Sequence, residues 1–394
     1  MAAGIALGVA APDVAKEMAP VSSVFLRLIK SIIAPLVFAT LVYGIAGTGS
    51  AKTMGRIGLK AIIYFEIVTT IALFLGLAAV NLVKPGVGVN LPHETATLAA
   101  NKVTLAGTLE HTFPTSIIDA MAKGEVLQIV IFAFIFGTAC TTIGTKAKNI
   151  VDWCKSLSDI MFEYTKYIMY AAPFGVGAAM AVTVGSKGIG VLFNLGQLIA
   201  TLFVSLVIFV VVVFGAVIII FKIPMRRFIQ AVKDPYILAF STASSEAALP
   251  QAMENMERFG VPKHIVSFVL PTGYSFNLDG TTLYLSLASV FIAQAAGVDM
   301  SFGQQLVMML TLMLTSKGVA AVPRASMVVL SGTLATFNLP LEGVALLLGV
   351  DTIMDMARTS VNLLGNCLAT AAVAKWKGVV LPTGDLEPIS EVVI

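Results

Sequence analysis

The 394-residue sequence predicts an all-α membrane protein, a polytopic bundle of helices with two re-entrant helical hairpins set in inverted repeats. Three observations predict it. Hydrophobic residues make up 57% of the chain and charged residues 12%, about half the charge fraction of a soluble domain, and mean hydropathy is +0.92. Apolar runs of spanning length, near or above ~20 residues, recur along the chain. Two further segments have apolar halves on either side of a Ser- or Gly-rich centre and a proline.

In order, the chain opens on Met1-Ala-Ala-Gly-Ile-Ala-Leu-Gly-Val, which reads as the tail of a spanning helix whose start precedes residue 1, and shows no cleavable signal pattern. Spans are expected at roughly 22–48, 58–83, 125–144, 156–183, 189–221, 264–296 and 341–374. Lys52, Arg56, Lys60, Lys146, Lys148, Lys155, Lys222, Arg226, Arg227, Lys233, Arg258, Lys263, Lys375 and Lys377 fall on one side if the spans alternate. That side is cytoplasmic by the positive-inside rule, and residues 84–113 form an external loop. A balance of 25 basic and 22 acidic residues implies no nucleic-acid partner. Cys140, Cys154 and Cys367 have no metal-like spacing and read as packing residues.

The first interrupted segment, 236–257, has a short apolar half, a Ser-rich centre at Ser244-Ser245 and a second helical half expected after Pro250. The second, 302–337, turns at Thr315-Ser316-Lys317-Gly318-Val319-Ala320-Ala321-Val322-Pro323. Paired interrupted segments of this kind point to a ligand site in an inverted-repeat fold, because irregular backbone at membrane depth survives only inside protein or beside a wet cavity.

Charge at membrane depth is the strongest pointer to function. Asp351, Asp355 and Arg358 are spaced four and then three apart, on one side of a helix, inside an apolar segment. Ser275-Phe276-Asn277-Leu278-Asp279-Gly280-Thr281 clusters helix-poor residues in the middle of another span. A local break is expected there, freeing carbonyls beside Asp279 as hard oxygen ligands for a small cation or a proton relay. Against these stand plainer readings: an acid–Arg cluster that only neutralises itself, a Glu246–Lys317 tip bridge, and Ser244 and Ser245 as turn formers.

Ser244-Ser245 with Pro250, the Asn277-Leu278-Asp279-Gly280-Thr281 break, the Gly318 to Pro323 tip and the Asp355…Arg358…Asn362 helix, in this order, resemble the glutamate transporter family, the dicarboxylate/amino acid:cation symporters. The likeness runs from about residue 22 to 377 and is nearest to the bacterial glutamate/aspartate symporters. It implies a homotrimer in the inner (plasma) membrane, with a scaffold and an elevator-type transport domain. The scaffold would hold residues 1–57 and 84–188, the latter including the external loop. The transport domain would hold 58–83 and 189–377, and 378–394 would be a cytoplasmic tail.

By the same resemblance, Arg358 grips the substrate side-chain carboxylate, Asp355 its amino group, and Asn362, Ser244 and Ser245 its α-carboxylate. Thr281 lies near the side-chain carboxylate, Thr359 joins this set, and Gly318, Val319 and Pro323 belong to the closing gate. Thr69, Thr70, Gly273, Asn277 and Asp279 match cation positions. Residue chemistry agrees, since a planar Arg fork suits a carboxylate and a lone Asp suits an ammonium. Asp355 would repel a C4-dicarboxylate, so an acidic amino acid, L-glutamate or L-aspartate, is the expected substrate and succinate, fumarate or malate the alternative.

Asn366 stands where sodium users of the family carry Asp, which weakens a sodium site. Glu66 and Glu246 are extra acids able to carry a proton once burial raises their pKa. Proton symport is therefore preferred, with sodium as the other coupling ion and no cofactor. Leu285 replaces the proton-binding Glu of the animal transporters. No His accompanies the membrane serines, Arg358 would keep both neighbouring acids ionised, and no phosphate-binding loop is present, so the chain does not read as an enzyme or a primary pump. A passive anion channel is the rival of a different class.

Overall fold

The computed structural model of the chain describes residues 2–46, 51–89, 91, 113–123, 126–188, 190–316 and 325–385. Every regular element among them is helical: α1 (Ala2–Ala10), α2 (Pro12–Lys16), α3 (Ala19–Ala46), α4 (Ala51–Val83), α5 (Ile117–Lys123), α6 (Val126–Ile143), α7 (Lys148–Tyr170) and α8 (Ala172–Lys187). There follow α9 (Gly190–Ile208), a π-helical stretch at Phe209–Phe214, α10 (Gly215–Ile220), α11 (Met225–Thr242), α12 (Ser245–Phe259), α13 (Lys263–Phe276) and α14 (Asp279–Ala295). The last four are α15 (Phe302–Thr315), α16 (Ala325–Thr336), α17 (Glu342–Leu348) and α18 (Asp351–Trp376). Two stretches, Ile57–Val83 and Gly190–Ile220, are long and apolar enough to cross a bilayer as single helices.

The chain forms two compact units. The first comprises Met1–Gly49, Leu73–Ser205 and Thr282–Met354. Here α3 packs along α6, α7 and α8, and α1 lies on α8. Gly4 and Gly8, one helical turn apart, let α1 touch the α8 backbone: a Cβ on Gly4 would overlap Gly177 O, and one on Gly8 would sit 2.9 Å from Ala181 O. Small residues at this spacing replace the hydrophobic drive that a lipid environment does not supply. Gln294 ties α14 to the end of α4, donating to Val80 O at 3.1 Å and accepting from Gly86 N–H at 3.2 Å.

The second unit comprises Ser50–Ala72, Leu206–Thr281 and Asp355–Ile394. Its helical hairpin, α11 and α12, is longer than the apolar run, because residues 225–235 carry charge. They still form a helix: Phe228, Ala231, Val232, Pro235 and Ala239 are buried at i, i+3, i+4, i+7 and i+11. The chain reverses at Ala243, in the left-handed region at φ 49°, and Ser244 then caps α12 by accepting from Ala247 N–H at 3.3 Å. Pro250 lies inside α12, so the expected restart after Pro250 is corrected: the capping serine, not the proline, sets the start of the second half. Asn255 fastens the hairpin to itself, donating to Ala231 O at 2.8 Å.

Two breaks interrupt the later helices. The expected one parts α13 from α14 at Asn277-Leu278. The other, at Gly349-Val350, divides the run read as one span over 341–374 and makes Asp351 the first residue of α18, where a carboxylate meets the positive end of the helix dipole. In the second unit, Lys60 of α4 donates to Trp376 O at 2.7 Å and lies 5.3 Å from the indole centroid, fixing the end of α18.

Candidate functional site

Five of the candidate residues, Asp355, Arg358, Thr359, Asn362 and Asn366, lie on α18. Arg358 is 1% exposed and is the bulkiest of the fully buried side chains. Its Nε donates to Asp355 Oδ1 at 2.9 Å, and Thr359 Oγ1 donates to the same oxygen at 3.2 Å. The i, i+3 and i, i+4 spacing places these groups together without tertiary help. Holding Nε fixes the plane of the guanidinium fork, and fixing the fork decides where a planar anion can meet it.

One turn further, Asn362 is engaged with Thr281 in the first turn of α14. Asn362 Oδ1 accepts from Thr281 N–H at 3.1 Å while its Nδ2 donates to Thr281 Oγ1 at 2.8 Å. That N–H is one of the orphan donors at a helix start, so the amide acts as a cap delivered from another helix.

The break between α13 and α14 is built around Asn277, whose φ of −131° and ψ of 73° leave the helix after its N–H has bonded Gly273 O at 2.7 Å. Asn277 Nδ2 lies 3.0 Å from both Asp279 Oδ2 and Asn366 Oδ1, and all three residues are 0% exposed. Glycines permit this closeness. A Cβ on Gly273 would overlap Asn366 Oδ1, one on Gly365 would overlap Asp279 Oδ2, and one on Gly280 would sit 2.5 Å from Arg358 O.

Buried polar atoms collect in the same unit. Asn277 Oδ1, Asn366 Nδ2, Thr69 Oγ1 and the Tyr64 hydroxyl are buried with no hydrogen-bond partner among the described residues. Buried polar groups are nearly always paired, so orphaned oxygens beside a carboxylate suit a bound cation. Thr70 differs from Thr69, since its hydroxyl is turned back onto Glu66 O at 2.6 Å. Glu66 is partly exposed. Tyr64, close enough to Asp279 to feel its charge, was not a sequence candidate, because a lone phenol in an apolar run gives no spacing signal.

Ser245 is 3% exposed, and its carbonyl accepts from Tyr274 O–H at 3.0 Å, a partner the sequence did not reveal. The turn-forming reading of Ser244 describes what its hydroxyl does here, which is to cap α12. Gly318, Val319 and Pro323, with Lys317 and Arg324, lie outside the described residues, as does the side chain of Glu246. The described residues of the candidate set come from α4, the hairpin tip, the α13–α14 break and α18, and side-chain hydrogen bonds join the last two. Among the described residues no group of three or more His, Cys, Asp or Glu side chains could hold a metal ion.

The sequence model of the sodium:dicarboxylate symporter family matches residues 1–376. The chain is 46% identical to the proton/sodium-glutamate symport protein of Geobacillus stearothermophilus over 93% of this chain and 89% of that one. It is 44% identical to the proton/glutamate-aspartate symporter of Escherichia coli (strain K12), over 91% of this chain and 85% of the relative. A C4-dicarboxylate transport protein of Bacillus subtilis (strain 168) is 42% identical, over 94% and 90%. A match across almost the whole length, carried by a transporter family and not an enzyme family, leaves one assignment: the chain belongs to the sodium:dicarboxylate symporter family of membrane transporters.

Proposed function

We propose that this chain carries L-glutamate or L-aspartate across the inner membrane together with a monovalent cation. The observation that carries the reading is the buried Asp355–Arg358 pair. Arg358 Nε and Thr359 Oγ1 both donate to Asp355 Oδ1, so Oδ2 is the oxygen that takes a substrate ammonium, while the Arg358 fork takes the side-chain carboxylate. Asn362 Nδ2 has a second N–H for the α-carboxylate beyond the one given to Thr281. Ser244, Ser245, Thr281 and Thr359 complete this set, with the Gly318, Val319 and Pro323 tip as its gate.

For the ion, the second unit buries the negative charge of Asp279 in a hydrogen-bonded chain with Asn277 and Asn366. A cation offsets it. Proton coupling is the sequence reading, through Asp279, Glu66 or Glu246. Sodium is the second reading, and the orphaned Asn277 oxygen beside Asp279, with the orphaned Thr69 hydroxyl in the same unit, favours it, because a proton needs one acceptor and sodium needs several oxygens.

In this reading the two helix pairs, α11–α12 and α15–α16, are re-entrant hairpins. Residues 58–83 and 189–377 travel as an elevator against a scaffold of 1–57 and 84–188, in a homotrimer. The alternative cargo is a C4-dicarboxylate, as the name of the Bacillus subtilis relative suggests; Asp355 disfavours it by charge.

The test is uptake of labelled L-glutamate into proteoliposomes with sodium and pH gradients imposed separately and with L-aspartate and succinate as competitors. Accumulation driven by either gradient and displaced by L-aspartate supports the reading. Uptake that follows sodium and ignores pH removes the proton version. Equilibration without counterflow exchange points to a passive pore and overturns the symporter.

A further inference from the structure

The helix that runs from Gly190 to Ile220 widens in its interior. Over Phe209–Phe214 it takes π geometry, with Gly215 N–H reaching back to Val210 O. Wide turns of this kind are rare and gather at functional sites. In an α-helix, residues five apart point about 140° away from each other. Here the wider turn stacks them: the Phe209 and Phe214 rings meet edge-on with centroids 5.0 Å apart and planes at 67°. Both rings are buried, at 0% and 2% exposure, whereas Val211 and Val212 between them are 67% and 60% exposed.

The ring so placed touches chemistry. The three atoms nearest to a Cβ built on Gly365 are Asp279 Oδ2, Phe214 Cζ and Asn277 Nδ2. An aromatic edge carries partial positive charge. It therefore suits a carboxylate as a neighbour, and as a C–H edge it takes up none of the carboxylate's strong hydrogen-bonding capacity.

We propose that Phe214 is a positioning residue for the coupling cation: the wide turn presses its ring onto Gly365 beside the Asn277–Asp279–Asn366 cluster, holding the carboxylate in place and excluding water. The proposal deepens the cation site above and rests on that reading. Phe214 touches no cation itself. It acts through Asp279, as neighbours that orient a metal ligand do.

The experiment measures initial L-glutamate uptake in proteoliposomes while sodium and pH are varied independently. The proteins are wild type, Phe214→Leu, a deletion of Val211 that returns the helix to α register, and Asp279→Asn. Phe214→Leu and the deletion are expected to raise the half-saturating concentration of the coupling cation about tenfold, with maximal uptake and half-saturating glutamate held within about twofold at saturating cation. Asp279→Asn is expected to abolish the dependence on that cation. Wild-type cation dependence in Phe214→Leu, or a fall in maximal uptake alone, overturns the role of the ring while leaving the site intact if Asp279→Asn responds as expected. If Asp279→Asn leaves both sodium and proton dependence unchanged, the cation site itself is misassigned and the proposal falls with it.

Discussion

Asn362 and Thr281 hold each other twice, through Thr281 N–H to Asn362 Oδ1 at 3.1 Å and Asn362 Nδ2 to Thr281 Oγ1 at 2.8 Å. The residues are 81 positions apart and both buried, so the bonds fix the start of α14 to the middle of α18. One side chain thus caps a broken helix and stands beside Arg358 on its own helix.

Replacing Asn362 by Leu leaves the Thr281 N–H buried without its acceptor. A loss of about 2–3 kcal/mol is expected, from one net hydrogen bond and one stranded donor. Thr281→Ala removes only the hydroxyl contact, keeps its N–H bonded to Asn362 Oδ1, and is expected to lose less. Thermal unfolding in detergent checks the order, and equal melting of Asn362→Leu and wild type would show that the cap is dispensable.

Gly280 and Gly196 make a matched pair. A Cβ at Gly280 meets Arg358 O and Cα at 2.5 and 2.9 Å, whereas one at Gly196 meets nothing within 4 Å. Gly280→Ala is expected to displace the α18 backbone at Arg358 and suppress uptake by at least about tenfold, on the scale of a misplaced binding group. Gly196→Ala should leave uptake unchanged and firm its helix by up to ~1 kcal/mol. Comparable uptake by the two variants would contradict the close approach.

Arg226 and Arg227 are neighbours with opposite prospects. Arg226 meets Asp385 with side chains 82% and 58% exposed, a contact worth about 0–1 kcal/mol. Arg227 donates to Arg258 O, Phe259 O, Gly384 O and Asp385 O at 2.9, 3.2, 2.9 and 2.8 Å, joining the end of α12 to the segment after α18. Arg227→Ala is expected to speed hydrogen exchange at residues 379–385 and over the last turn of α12, with little change in Arg226→Ala. Protected amides in Arg227→Ala would rule out the clasp.

What could be read from the sequence follows from which residues interrupt apolar runs. Asn277 to Thr281 break a span with polar, helix-poor residues, and α13 ends and α14 begins there. Asp355 and Arg358 were legible as a pair because helical spacing alone brings them together. The π turn was not, since Phe-Val-Val-Val-Val-Phe contains no polar residue or glycine to mark it. Gly349 and Asp351 do mark the Gly349-Val350 break, but the apolar residues on either side read as one span. Pro250 misled because Pro signals a restart, yet the cap that starts α12 is Ser244, six residues earlier. The Asn362–Thr281 and Tyr274–Ser245 bonds join distant segments, and spacing along one chain cannot encode them.

The central claim is that Asp355 selects a substrate bearing an ammonium group beside the carboxylate held by Arg358. The direct measurement is competition of L-aspartate and succinate against labelled L-glutamate, in wild type and in Asp355→Asn, which keeps an acceptor for Arg358 Nε. In wild type, L-aspartate should compete on the order of 100-fold more strongly than succinate, as expected for a desolvated charge pair. In Asp355→Asn that preference should collapse toward parity, mainly through weaker L-aspartate. A wild-type ratio preserved in the variant would contradict the account.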